Sequence, residues 1–237
     1  SHIQMFEALG KTPPQFAHLA LLSDSEGGKL SKRLGSSSVR DLKDTEGLEP
    51  MAVVSLLARL GTSDSIEAFT RHQPVIEGFD FAKFSRGTPK FDTEELYRLN
   101  TKILHQTPFD DVNVRLAHMG LPDLDENFWL SVRPNLQTLA DIKEWWTVAR
   151  GSVQPIIADA GFIAQAASLL PPEPWTGETW KTWTEAVKTA TGRKGKELFM
   201  PLRQAVTGMD HGPELAVLLP LIGRDTVCAR LDNRKAA

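Results

Sequence analysis

The sequence predicts a mainly α-helical protein. Three observations lead there. Apolar residues recur at intervals of three and four through most of the 237 residues. Cap-forming aspartate, threonine and proline precede those stretches, and glycine follows them. Candidate strands are confined to the chain before residue 40, and connections elsewhere are short.

In order, residues 3–9 read as an amphipathic helix ended by Gly10. Residues 16–22 are apolar and short enough for a strand. Residues 36–49 are polar and turn-rich, with a helix-like stretch at 39–42. Pro50 opens a helix that runs to Leu60 and is closed by Gly61, with Val53, Leu56, Leu57 and Leu60 on one buried face. Phe69, Phe79, Phe81, Phe84 and Phe91 lie among glycines and prolines and read as anchors pinning an irregular segment to a core, not as a base-stacking platform. Glycine and proline punctuate a boundary at residues 85–90. Asp92 then caps a helix, with Glu95 placed to complete a capping box and Leu96, Leu99, Ile103 and Leu104 as the apolar stripe. Further helices are expected over 110–118 and 126–132, and from Thr138 through Trp145 and Trp146 to Gly151. Beyond residue 152 the chain is helical again. Trp180, Trp183 and Val187 share a face until Gly192 stops the helix. Leu198, Met200, Leu202 and Ala205 line the next helix, and Pro213 opens the apolar run 215–222. Residues 232–237 are expected to fray.

Composition narrows the function. Hydrophobic content of 41% and charged content of 24% are ordinary for a soluble globular protein. No apolar run approaches the roughly 20 residues that span a bilayer, and Ser1-His2-Ile3-Gln4, with neither a basic start nor a long apolar segment, is not expected to be a signal peptide. The single cysteine, Cys228, cannot form an internal disulfide and fits a reducing cytoplasm. A net charge of -3 argues against a nonspecific nucleic-acid coat but leaves room for a local basic face. Six histidines are dispersed and one cysteine cannot build a zinc site, so no metal is expected. There is no Gly-x-Ser-x-Gly elbow. Residues 191–197 fail the Walker pattern, because Ala190 stands at the first glycine and Glu197 at the Ser/Thr position. The acidic pairs at 110–111 and 123–126 read as solvated helix ends.

Two stretches carry chemistry. Gly27-Gly28-Lys29-Leu30-Ser31-Lys32-Arg33 places two lysines three apart around a serine, behind two glycines. That suits a loop closing cations over a polyphosphate, although short loops of this composition are also common solvated turns. Arg193, Lys194, Lys196 and Arg203 join a helix end, a glycine turn and the next helix. They read equally as charges complementing a helix dipole or as a patch contacting phosphate or base.

Taken together, these residues resemble the C-terminal half of bacterial glutamyl-tRNA synthetase. The likeness runs from Lys29-Leu30-Ser31-Lys32-Arg33, similar to the KMSKS signature, through Phe91-Asp92, Leu96 and Leu99-Asn100. It continues through Arg133-Pro134, Thr138-Leu139, the stretch from Pro201 to Gly208, and Gly212-Pro213-Glu214-Leu215. Four motifs in family order are far more specific than any one. The family's other signature, resembling His-Ile-Gly-His, is missing. His2-Ile3-Gln4-Met5 lacks its glycine and its preceding strand. The resemblance therefore implies a truncated chain without the Rossmann catalytic domain, and the chain alone is expected to catalyse no pyrophosphate exchange.

What remains would be the end of the catalytic region with a helical stem-contact part over 1–88, followed by an all-α anticodon-binding cage in two parts, 89–151 and 152–237. The resemblance implies a glutamate–tRNA ligase using ATP with Mg2+. Lys29, Ser31 and Lys32 would be catalytic, with Lys29 and Lys32 on the ATP phosphates. Arg133, Asn135, Arg193, Lys194, Lys196, Arg203, Gly212, Pro213 and Leu215 would contact the anticodon. Implied partners are tRNA(Glu), glutamate and ATP. Asn135 stands where family members that reject tRNA(Gln) tend to carry arginine, which implies tRNA(Gln) as a further partner. A cytoplasmic monomer completes the expectation. The other reading is a free-standing helical module that binds RNA or protein without catalysis, in which the lysine loop would serve no purpose.

Overall fold

In a computed structural model of the chain, residues 1–28 and 38–236 are described. The predicted lysine loop, with Lys29, Ser31 and Lys32, lies outside them. The described residues form thirteen α-helices: α1 (His2–Ala8), α2 (Val39–Asp44), α3 (Pro50–Arg59), α4 (His72–Glu77), α5 (Thr93–Gln106), α6 (Asn113–His118), α7 (Glu126–Val132), α8 (Ile142–Arg150), α9 (Ala160–Ser168), α10 (Thr179–Thr191), α11 (Lys196–Thr207), α12 (Leu215–Ile222) and α13 (Arg224–Leu231). Among them there is no strand, only isolated bridges at Ser23–Lys90, Thr62–Phe84 and Val153–Ala236. The mainly α prediction holds, and the described residues contain no parallel nucleotide-binding sheet.

Local chemistry sets the helix ends. Pro50 occupies the first turn of α3, where its missing N–H costs nothing. Asp92 caps α5 by accepting from the N–H groups of Glu94 and Glu95. The reciprocal half of the expected box is replaced by an ion pair, since Glu95 takes Arg98 at 3.2 Å. Thr138 and Asp141 cap each other at the entry to α8 through a short 3₁₀ turn, Leu139–Asp141. Gly192 and Gly208 end α10 and α11 at φ of 72° and 69°, a backbone region that favours glycine.

Four expectations need correction. Leu57 is 41% exposed and lies off the buried face of α3. Residues 16–22 form no strand. Phe16 and Leu21 are exposed, and the backbone pairs only at Ser23, which bonds Pro89 and Phe91. Phe79 and Phe81 do not anchor a core either. They are 47% and 58% exposed and pack edge-to-face on each other at 4.9 Å. Residues 79–84 make only a 3₁₀ turn and an isolated bridge, so they bring no apolar layer to cover their own rings. The C-terminal tail is docked instead of frayed: Val153 N–H donates to Ala236 O at 3.2 Å, and Arg230 reaches the same carbonyl.

Two hydrophobic clusters fill the described residues. The smaller packs Leu42, Leu48, Ala52, Val53 and Leu56 against Leu96, Leu99 and Ile103 of α5. The larger begins at Leu104 of the same helix and continues to Leu231 of α13. Helix α5 therefore belongs to both, and consecutive residues Ile103 and Leu104 point into different cores.

Candidate nucleic-acid interface

Helix α11 begins after Gly195, which has φ of 54°. Its positions 196, 199 and 203 fall at i, i+3 and i+7, so Lys196, Phe199 and Arg203 share one face. Arg203 donates Nη1 to His211 O at 3.1 Å and Nη2 to Pro213 O at 2.9 Å. Its guanidinium therefore ties the connection between α11 and α12 back onto α11. Burial lowers the Arg203 pKa, with Glu214 opposing the shift.

The same loop is seated from the other side by Trp145 of α8. Gly212 has φ of 112°, and a Cβ there would lie 2.2 Å from Trp145 Cη2. Only glycine allows this approach. The His211 ring stands edge-on to Trp145 at 6.0 Å. Asp210 accepts from His211 Nδ1 at 2.8 Å, and this bond holds its carboxyl below the usual range, with the charge of Lys196 contributing. Thr207 Oγ1 donates to Arg203 O and accepts from Met209 N–H, so the loop leaves α11 in a fixed direction. Pro213 and Leu215 are buried, and Leu215 belongs to the larger core, so it offers an external ligand mainly its backbone.

The remaining predicted contacts occupy other corners. Arg193 pairs with Asp159 at the start of α9 and stacks its guanidinium 4.0 Å from the Phe162 ring centre. Lys194 and Lys196 beside it are exposed. Arg133, in the 3₁₀ turn Arg133–Asn135, donates to Thr107 O at 2.7 Å, and Trp129 Nε1 donates to the same carbonyl at 2.9 Å. Burial and the charge of Arg133 shift nearby His105 toward its neutral form. Asn135 is exposed at the end of that turn. The fold thus unites Arg203, Gly212 and Pro213, with Lys196 beside them. It places Arg193 against α9, and Arg133 with Asn135 at the junction of α5 and α7.

Trp145 and His211 were not foreseen in the site. Only Gly212 hinted at them, because a glycine between two chemistry-bearing segments marks a close approach. Among the described residues no group of three or more His, Cys, Asp or Glu gathers to hold a metal ion.

Comparison with known proteins places this geometry. The family model described as "tRNA synthetases class I (E and Q), catalytic domain" matches residues 1–98, and "Anticodon binding domain" matches residues 126–235. Glutamate–tRNA ligase 1 of Maricaulis maris is 53% identical over 236 residues, covering 100% of this chain and 53% of that protein. Glutamate–tRNA ligase of Azospirillum brasilense is 53% identical over 234 residues, covering 99% and 52%. Along its whole length the chain is similar to glutamate–tRNA ligases. It spans about half the length of the curated relatives it matches. The fold agrees. The glutamate–tRNA synthetase of Elizabethkingia anophelis superposes with a TM-score of 0.73 at 22% identity, over 98% of this chain and 53% of its own. The glutamate–tRNA ligase of Elizabethkingia meningosepticum, in complex with its amino acid, gives 0.76 at 21%, with the same coverage.

The catalytic-domain match ends inside α5 and the anticodon-binding match opens at the first residue of α7. Arg203, Trp145, Gly212 and the Arg133–Asn135 turn all fall in the second match. The likeness to glutamate–tRNA ligases supports the ligase reading and not the free-standing module.

Proposed function

We propose that this chain is the tRNA-reading part of an enzyme that joins glutamate to tRNA(Glu) using ATP. The observation that carries the reading is the loop between α11 and α12. Arg203 holds its carbonyls, Gly212 lies against Trp145, and Lys196 stands alongside. A rigid loop flanked by cations suits the unpaired bases of an anticodon, which can be splayed out and read at their edges. Arg203, Gly212, Pro213 and the Leu215 backbone would meet one part of the anticodon, and Arg133 with Asn135 another. Lys194 and Lys196 would attract phosphates, with Arg193 holding their turn to α9.

In the catalytic half of the reaction, ATP with Mg2+ supplies the adenylyl group and pyrophosphate leaves. Lys29 and Lys32 would balance the charge of the departing pyrophosphate, and Ser31 would contribute a hydroxyl. The division at residues 88 and 151, a monomeric state and a cytoplasmic setting belong to the same reading. No helix among the described residues is long and apolar enough to cross a membrane. The exposed Asn135, where an arginine would exclude, extends the proposed partners to tRNA(Gln).

The test is binding of stem-loop hairpins carrying the glutamate and glutamine anticodons to this chain, titrated against salt. Both are expected to bind, with affinity falling steeply as salt rises. Arg203→Ala is expected to weaken binding at least tenfold, because the loop loses its tether and the bases lose a guanidinium. Salt-independent or absent binding would overturn the reading. Unchanged affinity in Arg203→Ala would remove Arg203 from the site, and failure of the glutamine hairpin alone would remove tRNA(Gln).

A further inference from the structure

We propose that Phe199, backed by Trp180, is a stacking platform for one unpaired RNA base beside the Arg203 loop. Single exposed apolar residues need no explanation by themselves. Phe199 differs in its surroundings. It is 45% exposed on a helix whose Leu198 and Leu202 are buried almost completely. It sits three residues after Lys196 and four before Arg203, so a cation flanks it on each side of one helical face.

The ring is also held from behind. Trp180 of α10 lies 6.1 Å away, tilted by 44°. Trp180 stands edge-on to Trp183 at 5.7 Å. Trp183 is fully buried and donates Nε1 to Ala166 O at 2.8 Å. Three aromatic rings thus run from the core to the surface and end at Phe199. This chain of contacts restrains the ring from folding against the helix.

A flat apolar face bracketed by cations recognises a base stacked on the ring with its phosphates toward the flanking charges. Phe199 would contribute affinity with little choice among bases, because every base offers a π-face. Specificity would remain with the Arg203 loop. The inference rests on the anticodon reading and adds a contact that reading does not need.

The experiment uses a glutamate-anticodon hairpin with 2-aminopurine at successive loop positions, bound to the chain. One position is expected to show fluorescence quenching on binding. Phe199→Leu keeps apolar bulk but removes the π-face. It is expected to relieve that quenching and weaken hairpin binding about tenfold. Phe199→Trp is expected to restore both. If the hairpin binds with salt and Arg203 dependence while Phe199→Leu leaves quenching and affinity unchanged, the platform is overturned and the anticodon reading survives. If the hairpin does not bind, both fall.

Discussion

The two cores that share α5 are built on different terms. Among the described residues the first gathers eight buried hydrophobic residues and the second thirty-one. The first region leaves Met5, Leu9, Leu21 and Phe81 more than half exposed. In the second, all six tryptophans contribute to the core or pack against it. Small cores bury a smaller fraction of their apolar surface, so their geometry depends more on individual polar ties. The second region closes on itself and can hold a binding loop ready-made. The first relies on α5 and on a few hydrogen bonds that cross to its neighbour. The candidate interface lies in the region with the larger core, whose helices α8 to α13 pack chiefly on one another.

The deepest test of that self-sufficiency is Arg230. It is fully buried, and its hydrogen-bond partners among the described residues are main-chain carbonyls. Its guanidinium donates to Val148 O and Gly151 O at the end of α8, to Val206 O in the last turn of α11, and to Ala236 O of the tail. The cation sits where two helix C-termini converge, and their partial negative charge offsets part of its burial cost. Burial lowers the pKa to about 10, so the group stays charged at neutral pH. Arg230→Met removes every one of these donors and leaves buried carbonyls unpaired. The expected loss is about 3–5 kcal/mol in urea unfolding followed by tryptophan fluorescence. Lysine, a point charge without the planar fork, should recover only part. A loss below about 1 kcal/mol would show that the apolar core alone closes the region.

The join between the regions should give the next largest effect. Asn100 is fully buried on α5, and its Oδ1 accepts from Glu49 N–H at 2.6 Å while its Nδ2 donates to Gln137 O. Glu49 in turn forms a two-point ion pair with Arg115, at 2.7 and 2.8 Å. One side chain therefore connects the start of α3 to the segment before α8. Asn100→Ala leaves a buried N–H unpaired, with an expected cost of about 2–3 kcal/mol. Because every tryptophan lies in the second region, the loss should appear as a split. Helicity should begin to fall at lower urea than tryptophan fluorescence, whereas the two are expected to coincide in the unsubstituted chain. If the variant keeps coincident transitions, the two cores unfold as one unit and their contrast is only one of size.

How far the sequence reveals this architecture depends on how local the signal is. Helices α3, α5, α10 and α11 carry an apolar stripe and an end signal (a first-turn proline, an aspartate cap or a closing glycine) within a few residues, and they form where expected. Helix α13 falls within the expected helical stretch but carries no local cap signal, and the docked tail departs from the expected fraying. Arg230 looks like a surface charge until Val148, Gly151, Val206 and Ala236 come together, and nothing local encodes that meeting. The site divides in the same way. Arg203 and Gly212 stand out as residue types in a motif, but the Trp145 face beneath Gly212 exists only after α8 packs beside α12. From its neighbours Arg193 reads as a helix-end charge or a phosphate contact, and its partner Asp159 is 34 residues away. Phe79 and Phe81 mislead in the opposite direction, since aromatic type suggests burial that the first region does not provide.

The smallest expected effect compares one acid in each region. Asp64 is held below its ordinary value of 3.8, first by the hydrogen bond from Lys83, with Arg59 adding to it. Asp159 is held below the same value, first by Phe162 N–H and next by Arg193. A depressed carboxyl contributes stability that is present above the unfolded value, about 3.9, and is lost as pH falls through the folded one. Both contributions are therefore constant from pH 5 to 8 and fade below about pH 4. Their consequences differ. Protonating Asp64 loosens contacts to Lys83 and Arg59 that stay within the first region. Protonating Asp159 weakens the cap of α9 and releases Arg193 from its place over Phe162, at the turn that presents Lys194 and Lys196. NMR titration should show the Phe162 ring and the Arg193 guanidinium shifting together with the Asp159 carboxyl. Asp159→Asn should reproduce part of that shift at neutral pH. An Asp159 carboxyl that titrates at or above 3.8 would mean that Arg193 is not held in solution. The basic turn would then be positioned by its glycines alone.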